Sequence, residues 1–417
     1  MNKFLLPLVF AISSCSYFLK QIDQETIARK NSVDNFNSIQ TFCPISERVN
    51  FQAINTNKHS QEFFIDFIKS RDELDFLDHF ALWTLLQATI RPEQSSPTAR
   101  LQLIMNFKDP AYFDFYSEDS SNQFPTLYGI EWILKKYGKK TKLEKYAQLL
   151  DQHFQNQMKV GTQLADYLFQ NKAALLSHPV LGPYFIRGTE PLQEDERVPS
   201  VPYKKLVQHY RKFEKSQKIT VNISLTSFQT QQGRSGECNY DFNLYDNSIF
   251  LIDKVTPQGN LFGFTNNRQS FFAASSQKIS EHAPVENFPI FKGHSKVRST
   301  GVCILKTELG SIWTLSNNSR DPGQHLFHLI KYGLMSANNG QEVDKLLKHS
   351  RHIFLNDPLR LVIESSRSRE DQIENLLKLN IPIYNADLLG NVWAFSSLNK
   401  ESRFIIDDRN PGAITCK

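Results

Sequence analysis

Apolar residues change their spacing near residue 217, and this change restricts the chain to a fold with both helices and sheets. Before that point several apolar positions follow a helical repeat. The clearest run is Leu143, Tyr146, Ala147, Leu150 and Phe154. After it, residues 219–225 alternate between apolar and polar, as in a half-buried strand. We therefore predict an α+β protein, with a helical domain over residues 61–216 and a mixed α/β domain over residues 217–417.

The second half is predicted to begin with antiparallel hairpins and to continue with a strand-helix-strand unit. Alternating residues 238–244 lead through Asp246 and Asn247, a turn signal, into the apolar run 249–252. Further strands are expected at 261–264, 302–305, 312–315, 361–363, 381–384 and 392–395. Helices are expected at 324–334, 341–349 and 369–379.

Composition supports a folded protein and excludes some classes of partner. The chain has 417 residues, 40% of them hydrophobic, which is long enough for two domains. Its 48 basic and 43 acidic residues leave a net charge of +5, too mild to indicate a nucleic-acid partner. No phosphate-binding glycine loop, dinucleotide fingerprint or GxSxG elbow occurs, so we predict no cofactor.

Residues 1–14 have the composition of an export signal. Lys3 precedes an uncharged apolar run, residues 4–12, which is too short to cross a bilayer as a helix. The run ends in Ile12-Ser13-Ser14-Cys15, which resembles the lipobox of bacterial lipoproteins. The resemblance implies a mature protein that begins at Cys15 and is tethered to a lipid bilayer by acyl chains, such as palmitate, on that residue. An ordinary signal cleaved after Ser16 is the alternative.

The segment after this signal is predicted to act as a spacer. Residues 15–60 are rich in Asn, Gln, Ser and Thr and show little periodicity, as in a lipidated N-terminus with a flexible linker. Ser16 stands where an inner-membrane retention signal would have Asp. By resemblance to Gram-negative lipoproteins, the outer membrane is the expected location if the host is Gram-negative.

Four further cysteines follow the lipobox, namely Cys43, Cys238, Cys303 and Cys416. An even number in an oxidising compartment permits two disulfides, and spacing does not choose among the three possible pairings. Buried free thiols are the alternative. No two of the four form a CxxC motif, which argues against a zinc knuckle or a thioredoxin-like centre.

The densest polar stretch, residues 316–323, lies between a predicted strand and a predicted helix. Loops at the carboxyl ends of strands often form ligand crevices, and the start of a helix attracts anions. Ser316, Asn317 and Asn318 are candidate ligand-binding residues, and Arg320 is a candidate partner for a carboxylate or phosphate. The alternative is a helix cap at Ser319 or Asp321 with a turn before it.

His294 and Lys296 form an HxK triplet upstream of this loop and are the candidate catalytic residues. A histidine nucleophile near a lysine, with Ser or Asn after the next strand, resembles half of a phospholipase D active site. The resemblance is incomplete, because the expected acidic residue and a second HxK are absent and the spacing to the Ser/Asn loop is too long.

Two other patterns are weaker. His325 with His328, and His349 with His352, have the spacing of helical metal ligands but lack the carboxylate of an HExxH site, so no metal is predicted. Six lysines between residues 135 and 145 suit an anionic surface or the solvated face of a helix.

Two functional hypotheses follow. The first is a non-enzymatic lipoprotein that binds an envelope protein or an anionic ligand, or scaffolds other envelope components. The second is an exported phosphodiesterase-like hydrolase that uses His294 and Lys296.

Overall fold

A computed structural model describes most of the chain after residue 39. The described ranges are 40–43, 50–107, 109–119, 122–230, 233–243, 248–251, 259–266, 268–296, 298, 300–317, 321–355, 359–409 and 412–417. The signal and Cys15 therefore lie outside the described residues, as do Asn318, Ser319 and Arg320.

The described residues form helices and strands of varied length. The helices are α1 (Lys58–Lys69), α2 (Phe76–Ile90), α3 (Pro125–Lys136), α4 (Leu143–His153), α5 (Thr162–Gln170), α6 (Lys172–Leu176), α7 (Leu181–Phe185), α8 (Tyr203–Phe213), α9 (Pro322–Lys331), α10 (Gly340–Leu347) and α11 (Glu370–Leu377). The strands are β1 (Gln52–Asn55), β2 (Arg100–Asn106), β3 (Pro110–Tyr116), β4 (Ile186–Arg187), β5 (Glu190–Pro191), β6 (Thr220–Asn222), β7 (Thr226–Gln229), β8 (Ser235–Cys238), β9 (Tyr240–Asn243), β10 (Ser248–Leu251), β11 (Asn260–Thr265), β12 (Ser270–Ser276), β13 (Lys278–Val285), β14 (Phe288–His294), β15 (Gly301–Thr307), β16 (Gly310–Asn317), β17 (His352–Leu355), β18 (Arg360–Ile363), β19 (Ile383–Asn385), β20 (Asn391–Leu398), β21 (Glu401–Ile405) and β22 (Ala413–Cys416). These elements confirm the predicted mixed α+β class.

Two antiparallel sheets form the centre of the molecule. The first sheet has the strand order β22-β1-β11-β12-β2-β3-β6, and the second has the order β21-β20-β16-β15-β8-β7. Apolar side chains on their facing surfaces form one core, which includes Ile104, Phe272, Val302, Trp313 and Phe395. The two sheets therefore pack face to face.

Helices cover the outer face of each sheet. Phe113, Phe115 and Phe271 on the outer face of the first sheet pack in one core with residues of α1 to α5. Cys303 and Ile312 on the outer face of the second sheet pack with α9 and α10. The result is a four-layer arrangement of helices, sheet, sheet and helices.

Helix α2 is buried along its whole length because it lies under other helices. It begins at a capping box, in which Asp75 accepts from the Asp78 backbone N–H at 3.1 Å and Asp78 accepts from the Asp75 N–H at 2.8 Å. Its fifteen residues are all buried, which explains why its sequence is apolar on every side.

The first sheet takes strands from both sides of residue 216. Strands β2 and β3 lie in the stretch predicted to be helical, whereas β6, β11, β12 and β22 follow it. The division into two units at that residue stays a prediction. Residues 52–55, assigned above to the linker, are a central strand, because β1 pairs with both β11 and β22 and is fully buried.

The four cysteines form two disulfides, Cys43–Cys416 and Cys238–Cys303, with Cα–Cα distances of 5.8 and 4.1 Å. The disulfide prediction is confirmed, and one of the three pairings is selected. Disulfides persist in oxidising compartments, so the protein is exported rather than cytoplasmic. Within the described ranges, no helix combines the length and hydrophobicity that crossing a bilayer requires.

We predict that replacing both Cys43 and Cys416 with serine lowers the free energy of unfolding by about 3 kcal/mol, because the bond closes a very long loop. Thermal and urea unfolding of the wild type and the double variant measure this difference. Peptide mapping without reductant should yield only the 43–416 and 238–303 pairs, and a third pairing would contradict the structure.

Candidate functional site

One row of polar side chains crosses three neighbouring strands of the second sheet. In the register of β15 and β16, Gly301 is opposite Ser316, and in that of β16 and β20, Asn317 is opposite Asn391. Extending the first register by one residue places Thr300 opposite Asn317. Because side chains alternate along a strand, Thr300 shares the face of Val302 and looks toward the first sheet, as Asn317 and Asn391 do.

The two asparagines of this row carry unused hydrogen-bonding capacity. Both are 1% exposed. The Asn317 Nδ2 donates to the Gly259 carbonyl oxygen at 2.9 Å, but neither the Asn317 Oδ1 nor the Asn391 Oδ1 bonds to the described part of the chain. A buried amide oxygen without a donor costs about 1–3 kcal/mol, so both oxygens require a donor beyond the described residues.

A buried ion network fixes the start of β20, where Asn391 lies. The backbone N–H of Val392 donates to Asp407 at 2.9 Å, and Asp407 pairs with Arg351 at 2.6 Å and with Arg409 at 3.1 Å. Burial alone would raise the pKa of Asp407, but the two guanidinium groups outweigh it and lower this pKa to about 2. Asp407 therefore stays charged and holds the strand end in place.

The first sheet also presents polar groups to the space between the sheets. Arg100 donates to both carboxylate oxygens of Asp114, at 2.8 and 2.7 Å. The Tyr112 hydroxyl donates to Asp114 at 3.1 Å and accepts from Gln102 at 3.0 Å. Burial and the charge of Asp114 raise the pKa of Tyr112 well above its ordinary value, so this network carries a neutral phenol beside a paired carboxylate.

The segment before Thr300 crosses from the first sheet to the second. Its start is held on the first sheet, where Ser295 Oγ accepts from the Ser117 N–H at 2.9 Å and the Lys296 carbonyl accepts from Arg100 at 2.9 Å. Its end is held on the second sheet, where Arg298 donates to the Asn239 carbonyl at 2.8 Å. Thr300 follows directly and is fully buried.

A buried polar loop lies on the other side of the site. Residues 91–99 are all buried, and Ser95 accepts from Asn260 at 2.8 Å, one residue after the Gly259 that binds Asn317. Glu93 pairs with Arg91 through one carboxylate oxygen, whereas its other oxygen, Oε2, bonds to no described group. Polar groups therefore continue from the central row into the helical layer.

Of the ligand-binding and catalytic residues predicted from the sequence, only some belong to this row. Asn317 belongs to it, whereas Ser316 points to the opposite face, and Asn318 and Arg320 lie outside the described residues.

The candidate catalytic residues lie on other elements. His294 ends β14, where it is opposite Lys278 in a two-stranded ribbon. The Lys296 side chain is 62% exposed and pairs with Glu118 at 2.5 Å. Thr300, Asn239 and Asn391 were not predicted as site residues, because none of them belongs to a local sequence motif.

The histidines of α9 and β17 come together but form no metal site. The rings of His328 and His352 stack with centroids 4.0 Å apart, and His325 is fully buried. Among the described residues, no group of three or more potential ligands could hold a metal ion. Burial, strengthened for His328 by the charge of its neighbour, lowers the pKa of His328 to about 3 and that of His352 to about 4.

We predict that acid destabilises the protein through these two histidines. Between about pH 4 and the ordinary pKa of 6.5, the unfolded chain binds protons that folded His328 and His352 do not, so the free energy of unfolding falls as the pH decreases. His352→Gln removes one such group and should make this fall shallower in urea unfolding at pH 7 and pH 5. Equal slopes in the variant and the wild type would contradict the assignment.

Comparison with known proteins gives a fold but no family. No family model matches the chain, and no curated protein does. Among solved structures, LmbA2991T421A is similar over 91% of this chain and 100% of its own, with a TM-score of 0.60 and 7% identity. The cephalosporin acylase from Bacillus halodurans covers 90% of this chain and 99% of its own, with a TM-score of 0.55 and 10% identity. LmbA2991HD is similar at a TM-score of 0.55 and 6% identity.

These matches correct the first functional expectation. The chain shares its fold, over nine-tenths of its length, with a protein described as an acylase. The predicted role as a non-enzymatic binding or scaffolding protein is therefore wrong. His294 and Lys296 remain without an assigned role.

Proposed function

We propose that the protein is an exported hydrolase that cleaves an amide-linked acyl group, with Thr300 as its nucleophile. The row of Thr300, Asn317 and Asn391 carries this proposal, because it sets a hydroxyl beside unused acceptors at the edge of the inter-sheet core. The similarity to a cephalosporin acylase and the Ntn-hydrolase type of its fold support an acyl-transfer reaction. LmbA2991T421A is by its name a threonine-to-alanine variant.

A threonine hydroxyl is a weak nucleophile and needs a base. A free α-amine on the same residue can serve as that base, which requires the threonine to be the first residue of its chain. We therefore propose that the chain cleaves the peptide bond on the amino side of Thr300. The Thr300 Oγ adds to the carbonyl carbon of residue 299, and the carbon–nitrogen bond breaks to give an ester and a free α-amine that takes up the hydroxyl proton. Water then hydrolyses the ester to a carboxylate on residue 299 and restores the Thr300 hydroxyl. Asn317 is opposite Thr300 in the extended register, which supports a role for its Oδ1 as the acceptor that binds the freed amine and orients its lone pair toward the hydroxyl.

The reaction then proceeds in two steps. The Thr300 Oγ adds to the acyl carbonyl carbon of the substrate while its proton passes to the α-amine. The carbon–nitrogen bond breaks, the α-amine returns the proton to the leaving amine, and an ester on Thr300 remains. Water, deprotonated by the same amine, hydrolyses the ester and restores the hydroxyl. Asn391 offers a second acceptor, suited to an N–H of the substrate.

We predict that the mature protein consists of two chains, the second starting at Thr300. Thr300→Ala should abolish cleavage and reduce hydrolysis of N-acyl p-nitroanilides more than 1,000-fold, because the nucleophile is lost. Thr300→Ser should retain cleavage and hydrolysis, each at a lower rate. N-terminal sequencing, gel electrophoresis and a panel of p-nitroanilides with different acyl groups measure these effects.

Thr307→Ala is the matched control, because Thr307 ends the same strand and its hydroxyl bonds only to the local turn. It should be cleaved and active like the wild type. A wild-type chain that stays intact, or a Thr300→Ala variant that keeps full activity, would overturn the proposal.

We also propose that the exported enzyme is anchored to a membrane through acylated Cys15. The support is the sequence Ile12-Ser13-Ser14-Cys15 at the end of an apolar run, together with the oxidising compartment indicated by the two disulfides. The outer membrane is the proposed location in a Gram-negative host. The bilayer is then its permanent partner, and an anionic envelope component is a further candidate.

We predict that labelled palmitate is incorporated into the wild type and not into Cys15→Ser, since no other position follows a lipobox. The variant should also move from the membrane fraction to the soluble fraction, as the acyl chains supply the anchor. Mass spectrometry of the mature N-terminus checks the same point, and an unmodified wild-type Cys15 would contradict it.

A further inference from the structure

Asn239 contacts the chain on both sides of Thr300 with all four of its polar groups. It lies one residue after β8 and is buried. Its side-chain Nδ2 donates to the Thr300 carbonyl at 3.1 Å, and its Oδ1 accepts from the Val302 N–H at 2.8 Å. Its backbone N–H donates to the Val302 carbonyl at 2.9 Å, and its own carbonyl accepts from Arg298 at 2.8 Å.

This arrangement extends the pairing of β8 and β15 beyond the end of β8. The regular ladder runs from Leu305 opposite Gly236 to Cys303 opposite Cys238. After Cys238, the amide side chain of Asn239 makes hydrogen bonds to β15 in place of the backbone. It can do so because, like a peptide group, it offers a donor and an acceptor. A strand end that would otherwise fray is thereby held at Thr300.

A disulfide anchors Asn239 itself. Cys238 precedes it, and the bond from Cys238 to Cys303 joins the two strands at directly opposite positions. Asn239 therefore cannot move away from β15 without distorting a covalent link. The backbone near Thr300 is thus held at two points, by the hydrogen bond from Asn239 to the Thr300 carbonyl and by the disulfide at Cys303.

We infer that Asn239 is a positioning residue for Thr300, and this inference rests on the function proposed above. In the intact chain it bonds to the backbone of Thr300 and Val302, and its own carbonyl accepts from the Arg298 side chain. These bonds hold the Thr300 backbone so that its side chain stays on the face of Asn317 and Asn391. After cleavage the bond from Nδ2 to the Thr300 carbonyl holds the new first residue, and the bond from Arg298 to the Asn239 carbonyl holds the other new end nearby.

Asn239→Asp tests the role of the donor. Aspartate keeps an acceptor for the Val302 N–H but cannot donate to the Thr300 carbonyl. We expect cleavage of the purified precursor to slow at least tenfold and kcat of the cleaved form to fall by a similar factor. KM should be unchanged, because all four polar groups of Asn239 bond within the chain. Asn399→Asp is the matched control, since the Asn399 Nδ2 also donates to a carbonyl, that of Asn338, but on the surface.

The disulfides provide a second pair of variants. Replacing Cys238 and Cys303 with alanine should also slow cleavage, because Asn239 loses its anchor. Replacing Cys43 and Cys416 with alanine removes the other disulfide, which does not join β8 to β15, and should lower the melting temperature without slowing cleavage of the folded protein.

The outcomes separate the two proposals. An intact wild-type chain overturns the proposed function and this inference together. If the wild type is cleaved and Asn239→Asp is cleaved at the same rate, the inference about Asn239 is overturned and the proposed function stands. A third outcome is that Asn239→Asp slows cleavage only as much as its lower melting temperature explains through a larger unfolded fraction. That outcome also overturns the inference, because a residue with a purely structural role would have this effect.

Discussion

The apolar contact between the two central sheets is the constraint on which the rest of the structure depends. Phe272 on the first sheet and Trp313 and Phe395 on the second are fully buried between the sheets. Each such side chain stabilises the fold by about 1.5–3 kcal/mol. Since the outer faces of both sheets are apolar as well, helices must cover them, and the four layers follow from this requirement.

Polar groups interrupt this apolar contact at one end of the sheets, where they are shielded from bulk water. Away from bulk water, charges and dipoles interact more strongly than in solution. Arg100 and Asp114 satisfy each other there, and removing one partner of such a pair costs about 3–5 kcal/mol. Among the described residues, the Oδ1 atoms of Asn317 and Asn391 in contrast have no donor, so the first sheet supplies paired polar groups and the second supplies hydrogen-bond acceptors.

The sequence predicted those elements that have clear ends. The expected strands at 302–305 and 312–315 correspond to β15 and β16, and the expected helix at 324–334 corresponds to α9. Strand β2 was not predicted, because it lies between segments that follow a helical repeat and alternates only from Arg100 to Leu103, the first of three successive apolar residues.

The site was predictable only where a local motif existed. Asn317 belonged to a conspicuous polar stretch and was selected, although for binding an anion in a loop. Thr300 stands alone before an apolar run, and Asn391 is 91 residues away from it in the sequence. Only the registers of β15, β16 and β20 bring the three into one row, and a sequence without homologues carries no information about register between distant strands.

The free-energy balance of the row favours a catalytic interpretation over a structural one. A folded domain is stable by only about 5–15 kcal/mol, and two unpaired amide oxygens at about 1–3 kcal/mol each take a considerable part of that. Val392 and Leu315, beside these asparagines, show that apolar side chains fit the same strands. A disulfide and the bonds of Asn239 to Thr300 and Val302 also hold this part of the chain opposite them. Rigid support for an energetically costly polar row is what an active site requires, because reacting groups must be held before the substrate arrives.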